Sequence, residues 1–376
     1  MADLYPSLVA PRDGSQKRAL PNDSRKSRSA GRPVALDGAE PERAVSPPAT
    51  LAIVSIDTEE DNWLPTRGPV TVENIRELPV LQRFLESFGV RPTYFTTYDV
   101  AAPGFSADTL RALHASGRAE VGAHLHPWRT PPVDEPAVPS ATMLLNLPPP
   151  LQRAKLETLT ARLREVLGSA PRSFRAGRFG FGAATAAAAA ACGYAFDSSV
   201  TPYVSWVNTD NGPDFIGAPL DAYWLDCRSD VRLPALRGPL LEIPVSCGYS
   251  RRPFAVWAGA MRALESRTLR RLGAIKFAAG LRLVRPITLS PETNSLSEML
   301  LLTRHLIALG VRHVHLFIHS SSLRPGLSPF ARTTPDVQRL YAKLGAYFEG
   351  LEAMASVRFA TVGEAGAILG LGVPTP

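Results

Sequence analysis

Short runs of branched apolar residues, each closed by a polar or charged residue, alternate along most of the chain with stretches whose apolar positions recur every three to four residues. The first run, TLAIVSID (50–57), is apolar on both faces and ends in Asp57, which predicts a buried strand. Helical spacing follows over 73–88, then PTYFTTYD (92–99), a helix over 106–116 and the strand-like AEVGAHLH (119–126). The alternation continues through a helix over 151–167, SFRAG (173–177), an alanine-rich helix ending near Gly193, and YAFDSSV (194–200). Near the end, a helix over 295–309 leads into VRHVHLFIHS (311–320), and a long helix covers 336–351. Repeated strand, helix, strand units predict parallel strands with helices outside, an α/β fold.

Asp57, His124, Arg175, Asp197 and His319 each fall at or just past the end of a predicted strand. In a barrel those ends converge on one face, so the five residues predict a shared functional mouth. Residues 203–292 are harder to place. LLEIPVS (240–246) reads as a strand, and residues 255–290 as a helical, Arg-rich insertion. Its arginines fit solvated faces of packed amphipathic helices, with peripheral membrane contact as the second reading.

Composition narrows the class. The 376 residues carry 41 Lys+Arg against 34 Asp+Glu, a formal charge of +7, and 45% are hydrophobic, enough to bury a core and to exclude a wholly disordered, collagen-like or coiled-coil chain. Residues 1–48, centred on RKSRSAGR (25–32), lack apolar periodicity and read as a disordered basic tail ahead of one domain over 49–371. The basic residues are not interleaved with aromatics and the charge excess is small, which speaks against a nucleic-acid partner. Cys192, Cys227 and Cys247 are too few and too widely spaced for a disulfide framework or a cysteine zinc site. With no signal-peptide pattern and no membrane-length apolar run, the expected location is cytoplasmic.

Three segments carry candidate chemistry. SIDTEEDN (55–62) packs four acids directly after a buried strand. In GAHLHP (122–127), His124 and His126 are two apart, so on an extended segment both imidazoles face the same side; with a carboxylate from another strand they would make a three-ligand metal site with a position left for water. His313, His315 and His319 share a parity, but only His319 stands at the strand end, where an imidazole can serve as a proton donor. FRAGRFGFG (174–182) fits neither phosphate-loop pattern, and Arg175 there could instead hold a carboxylate in its ionised form.

Taken in order, these segments resemble the motifs of the polysaccharide deacetylase family, the NodB-homology or carbohydrate esterase family 4 group, over roughly residues 51–369. The resemblance implies a distorted (β/α) barrel that uses a divalent metal, commonly zinc, to hydrolyse acyl groups, chiefly acetyl, on carbohydrates. Ser55-Ile56-Asp57-Thr58-Glu59 aligns with the first motif, which puts Asp57 on the general base and Thr58 where a metal-binding Asp is usual. Glu59 is then the substitute ligand, with Glu60 and Asp61 behind it. His124 matches the second motif, Trp128 replaces its second His, and His126 would take that ligand's part. Arg175 matches the residue that orients the base, and Leu316-Phe317-Ile318-His319 the motif of the general acid. Asp197 in YAFDSSV, Trp128 and Tyr203 are expected at the substrate, with Trp63 and Trp206 as further sugar-face candidates. Two other readings stand beside this one: a C–N hydrolase of small amides, similar to allantoinase-like barrels, and a catalytically silent glycan-binding barrel.

Overall fold

The computed structural model describes residues 49–61, 65–264 and 284–370. In chain order these form β1 (Thr50–Thr58), α1 (Leu78–Glu86), β2 (Thr93–Thr96), α2 (Phe105–Ala115), β3 (Glu120–Leu125), α3 (Pro149–Leu167), β4 (Ser173–Ala176), α4 (Ala183–Ala191) and β5 (Phe196–Asp197). There follow β6 (Tyr223–Leu225), β7 (Leu240–Glu242), β8 (Cys247–Tyr249), α5 (Phe254–Leu264), β9 (Pro286–Thr288), α6 (Leu296–Ala308), β10 (His313–His319), α7 (Thr334–Glu352), β11 (Val357–Ala360) and α8 (Val362–Gly370). Among these residues no helix is long and apolar enough to cross a membrane.

The main sheet runs β10-β1-β2-β3-β4-β5-β7-β6, parallel except for β6. Its longest strand, β1, pairs with β10 along one edge, and its other edge is divided: Thr50–Ile53 pair with β11, Ser55–Thr58 with β2. The free edge of β10 meets the segments flanking the β8–β9 hairpin, where Ser246 N donates to His315 O and Phe317 N to Leu289 O. The curled sheet thus closes into the distorted (β/α) barrel that the alternating pattern predicts.

Strand alternation sorts β1 into two environments. Ala52, Val54 and Ile56 face outward into the core shared with the helices. Leu51 and Ile53 face inward and join Phe95, Phe196, Leu241 and Ile243 in a separate apolar floor, sealed by Val362, Ala365 and Leu369 of α8. The first free N–H groups of α8 are satisfied from the barrel: Val362 N donates to Thr93 Oγ1 and Gly363 N to Glu120 Oε2, each at 2.8 Å. Above the floor the inward residues of β1 become polar, from Ser55 to Asp57. An apolar floor under a polar mouth confines the chemistry to the C-terminal ends of the strands.

Several expectations change. The tail over 1–48, Trp63 and residues 265–283 of the Arg-rich insertion lie outside the described residues. The insertion begins as the helix α5, but residues 286–288 form β9 and not a helix, because they pair antiparallel with Cys247–Tyr249, with Pro286 at the strand start where its missing donor is tolerated. YAFDSSV contributes only Phe196 and Asp197 to the sheet.

Candidate active site

Arg175 organises the interior. It is fully buried, and its guanidinium donates to Asp57 Oδ1 (2.6 Å), to Ser198 O (2.8 Å) and to Ser198 Oγ (3.0 Å), while lying 4.5 Å from the Phe95 ring centroid. Its contact with His315 Nε2 at 3.3 Å fixes that histidine's tautomer: an arginine can only donate, so Nε2 accepts and the proton sits on Nδ1, toward Ser198 Oγ at 3.3 Å. His315 and His313 are thereby interior structural residues, as their place below the strand end suggests. Burial works against a charged Asp57, but Arg175, His124 and His319 together hold its carboxyl below the ordinary range. Asp57 is therefore ionised and fixed in direction, as a general base must be.

Glu59, His124 and His126 present ligand atoms within 4.8 Å of one another. On β1, Thr58 spends its hydroxyl on Ile56 O, and it is the next residue, Glu59, that turns its carboxylate to the two histidines. Glu59 Oε2 lies 3.2 Å from His126 Nε2 and 3.9 Å from His124 Nε2. Both Nδ1 atoms are engaged elsewhere, His124 with Arg175 O and His126 with Glu60 Oε2, each at 3.1 Å. This donor set fits a divalent cation: two Nε2 atoms and a carboxylate converge, with each imidazole fixed from behind. Burial lowers His124 to about 3, whereas His126, despite burial, is raised to about 10 by Glu60 and Glu59, which hold a positive charge at the place a cation would take. Asp61 is no ligand. It anchors the chain beyond β1 by accepting from Thr71 Oγ1 and from the backbone of Glu73 and Asn74.

The His126 ring is also confined by packing. Trp128 stacks on it at 4.4 Å between centroids and 19° between planes. Just past the end of β4, Gly177 approaches so closely that an added Cβ would lie 2.6 Å from His126 Cδ2 and 2.6 Å from Leu125 O. Gly177→Ala is expected to displace the ring and weaken divalent-cation binding by at least about tenfold, the scale of lost ligand support. Competition against a chromogenic chelator measures this, and unaltered affinity would show that the ring yields without leaving its position.

His319 stands in register with Asp57, its Nε2 4.0 Å from Asp57 Oδ2. Its Nδ1 meets Glu292 Oε2 at 2.8 Å and its backbone N donates to Glu292 Oε1 at 3.2 Å. Burial opposes the charged ring, yet Glu292, Glu59 and Asp57 raise it to about 9, so it is protonated at neutral pH. Glu292 is the residue that sequence reasoning missed. It lies in the loop between β9 and α6, where Lys343 of α7 donates to Pro291 O (2.5 Å) and Asn294 O (2.9 Å), and nothing near it in sequence announces a partner for His319.

The substrate-side expectations divide. Trp128 and Trp206 stay near the site; Trp206 is half-buried and stacks on Phe179, which meets Phe317 edge-on on the inner face of β10. Tyr203 does not. It packs against Tyr249 and Phe254 and lines a cleft with Leu309 and Val311, before the start of β10, roughly 20 Å of strand from His319. Asp197 is corrected too: the register that turns Phe196 inward turns Asp197 outward, fully buried, where it accepts from Ser199 N (2.9 Å) and Ser199 Oγ (3.0 Å) beside Glu242.

Burial raises Asp197 to about 6 and Glu242 further, and Glu242 Oε2 has no hydrogen-bond donor unless the pair holds a proton. A proton bound more tightly in the folded state stabilises it at low pH, and that contribution is lost as pH rises through about 6. Glu242→Gln is expected to flatten the decline in melting temperature between pH 5 and 8; parallel melting curves for the two proteins would refute the shared proton.

No family model matches the sequence, and no curated protein matches it. Solved structures do. A candidate polysaccharide deacetylase from Mycobacterium smegmatis superposes with a TM-score of 0.51 at 17% identity, over 88% of this chain and 94% of that one. A candidate glycoside hydrolase/deacetylase from Parabacteroides distasonis gives 0.53 at 12% identity, over 85% and 70%. The chain therefore has the polysaccharide deacetylase fold, the barrel its ordered motifs imply. Within that fold it is a divergent form, whose candidate metal ligands are Glu59 and the His124/His126 pair.

Proposed function

We propose that the protein is a metal-dependent hydrolase that removes an acyl group, acetyl foremost, from a carbohydrate. The observation that carries this reading is the facing pair of Asp57 and His319, 4.0 Å apart, each backed by its own buried counter-charge in Arg175 and Glu292, beside three convergent cation ligands. Zinc suits a donor set of two imidazoles and one carboxylate. A cation held there would polarise the acyl carbonyl and lower the pKa of water.

The chain's own groups account for the proton movements. Asp57, ionised and aimed by Arg175, takes the proton from the attacking water. His319, charged and aimed by Glu292, gives its proton to the departing amine or alkoxide, so an amide and an ester are both within reach. Trp128 and Trp206 offer flat apolar faces for a sugar ring. Glu59 and His126 occupy the positions that Thr58 and Trp128 leave vacant, which favours the hydrolase over a silent glycan-binding barrel.

The test is acetate release from acetylated chito- and xylo-oligosaccharides, with small cyclic and linear amides in parallel, before and after chelation and zinc restoration. Release from the glycans that stops on chelation and returns with zinc supports the reading. Turnover of the small amides alone would move the protein to the allantoinase-like alternative, and glycan binding without turnover under any metal would make it a binding barrel.

A further inference from the structure

Two imidazoles converge on the candidate cation position, but they are not held alike. His124 lies inside β3, paired in register with Arg175, and its Nδ1 contacts the carbonyl of that same residue. His126 lies beyond the last residue of β3, so no ladder partner fixes its backbone. Something else must set its ring. The side chain in position to do so is Glu60, 3% exposed, which follows Glu59 and turns back to place Oε2 3.1 Å from His126 Nδ1.

The segment that follows His126 is braced as well. Arg129 grips Asp99, beyond the end of β2: its Nε donates to Asp99 Oδ2 (2.6 Å) and its Nη2 to Oδ1 (3.0 Å). The remaining Nη1 of Arg129 reaches Thr66 O (3.2 Å) and Gly68 O (2.8 Å). Arg129 follows Trp128, the residue stacked on His126, so one short segment carries both the stacking ring and this brace. We propose that Glu60 is the positioning residue of the cation site, holding the His126 ring with Nε2 turned to the cation. This rests on the metal-dependent reading above and adds to it how a histidine outside the strand becomes a usable ligand.

The physical case is the behaviour of a ligating imidazole whose other nitrogen donates to a carboxylate. The hydrogen bond fixes the tautomer, so that the lone pair is on Nε2, fixes the ring plane, and increases the basicity of the ligand. A glutamine at 60 can still accept from Nδ1 but brings no charge; an alanine removes the anchor. Neither change removes a ligand atom.

The experiment measures Zn2+ and Co2+ affinity by chelator competition, bound metal at saturation, and the visible spectrum of the Co2+ form. It compares the native protein with Glu60→Gln, Glu60→Ala and His126→Ala, with the melting temperature of each metal-free protein as the fold control. The expected result is near one metal per chain in the native protein and affinity weakened about 10- to 100-fold in the Glu60 variants. Their stoichiometry should be retained and their Co2+ spectrum altered, and His126→Ala should not bind. Native-like affinity and spectrum in Glu60→Gln and Glu60→Ala would overturn the proposal while leaving the metal-dependent reading intact. Loss of metal in Glu60→Ala as complete as in His126→Ala, with the fold preserved, would overturn it by making Glu60 a ligand. A native protein that takes up neither metal would overturn the positioning role and the metal-dependent reading together.

Discussion

Asp57→Asn is expected to lower the hydrolytic rate by about 10²- to 10⁴-fold, the range contributed by a positioned general base, while metal content stays at the native level. The substitution is nearly isosteric. An asparagine carbonyl can still accept from Arg175 Nη1 at the place where Asp57 Oδ1 now does, and the guanidinium keeps its bonds to Ser198. What is lost is the capacity to take a proton. The buried charge of Arg175 also loses its counter-ion, so some fall in melting temperature should accompany the loss of rate. Initial rates on an acetylated oligosaccharide, read beside metal content and thermal unfolding, separate the two effects. Unchanged turnover would remove Asp57 from the role of base.

Lys155→Met should destabilise the protein by about 3–5 kcal/mol, the penalty for stripping one partner from a buried charge pair. The corresponding fall in melting temperature is on the order of 10 °C. Lys155 is fully buried in α3, and its Nζ lies 2.8 Å from Glu135 Oε2 and donates to the carbonyls of Pro127 (2.7 Å), Thr130 (2.9 Å) and Pro132 (2.6 Å). Its ammonium is the hub on which residues 127–135 are gathered, directly after His126. Arg67 meets the other oxygen of Glu135 at 2.9 Å. Methionine fills much of the same volume but leaves three carbonyls unpaired and Glu135 with one cation in place of two. A companion Lys155→Met/Glu135→Gln protein should recover part of the loss, since it no longer strands a buried charge. If the single variant melts like the native protein, the hub has no structural weight.

How far the site could be read from the sequence depended on whether each residue's role was local. Asp57 announces itself because a branched apolar run ends in an acid, and the parity of His124 and His126 follows from a spacing of two. Arg175 and His319 sit in short motifs that survive intact. Glu292 could not be found in this way: it reaches His319 from a loop braced by Lys343, and both contacts depend on packing of α7 and β10 that no local pattern encodes. Asp197 failed for a different reason. Its position near a strand end was right, but a strand of two residues offers no alternation from which to judge the face, and the pairing of Phe196 with Ser173 and Leu241 decided it. Tyr203 failed because its ring packs on Tyr249 and Phe254, both distant in sequence, and not on the Phe179 side where Trp206 lies. The helical expectation for residues 286–290 lost to pairing with Cys247–Tyr249, a partner distant in sequence.

The divided edge of β1 also bears on how the chain is made. Thr50 pairs with Val357, and about 300 residues must be synthesised between the two. At typical translation rates of about 5–20 residues per second, that interval is on the order of tens of seconds, during which β1 lacks β11 and, for most of that time, β10. Leu51 and Ile53, which end up on the floor under α8, stay uncovered for the same interval. The nascent chain must therefore carry an open strand edge and an exposed apolar face until its last structured segments arrive. An unpaired edge and an uncovered apolar face favour association with other chains, so the late arrival of β11 and α8 lengthens the time at risk during synthesis.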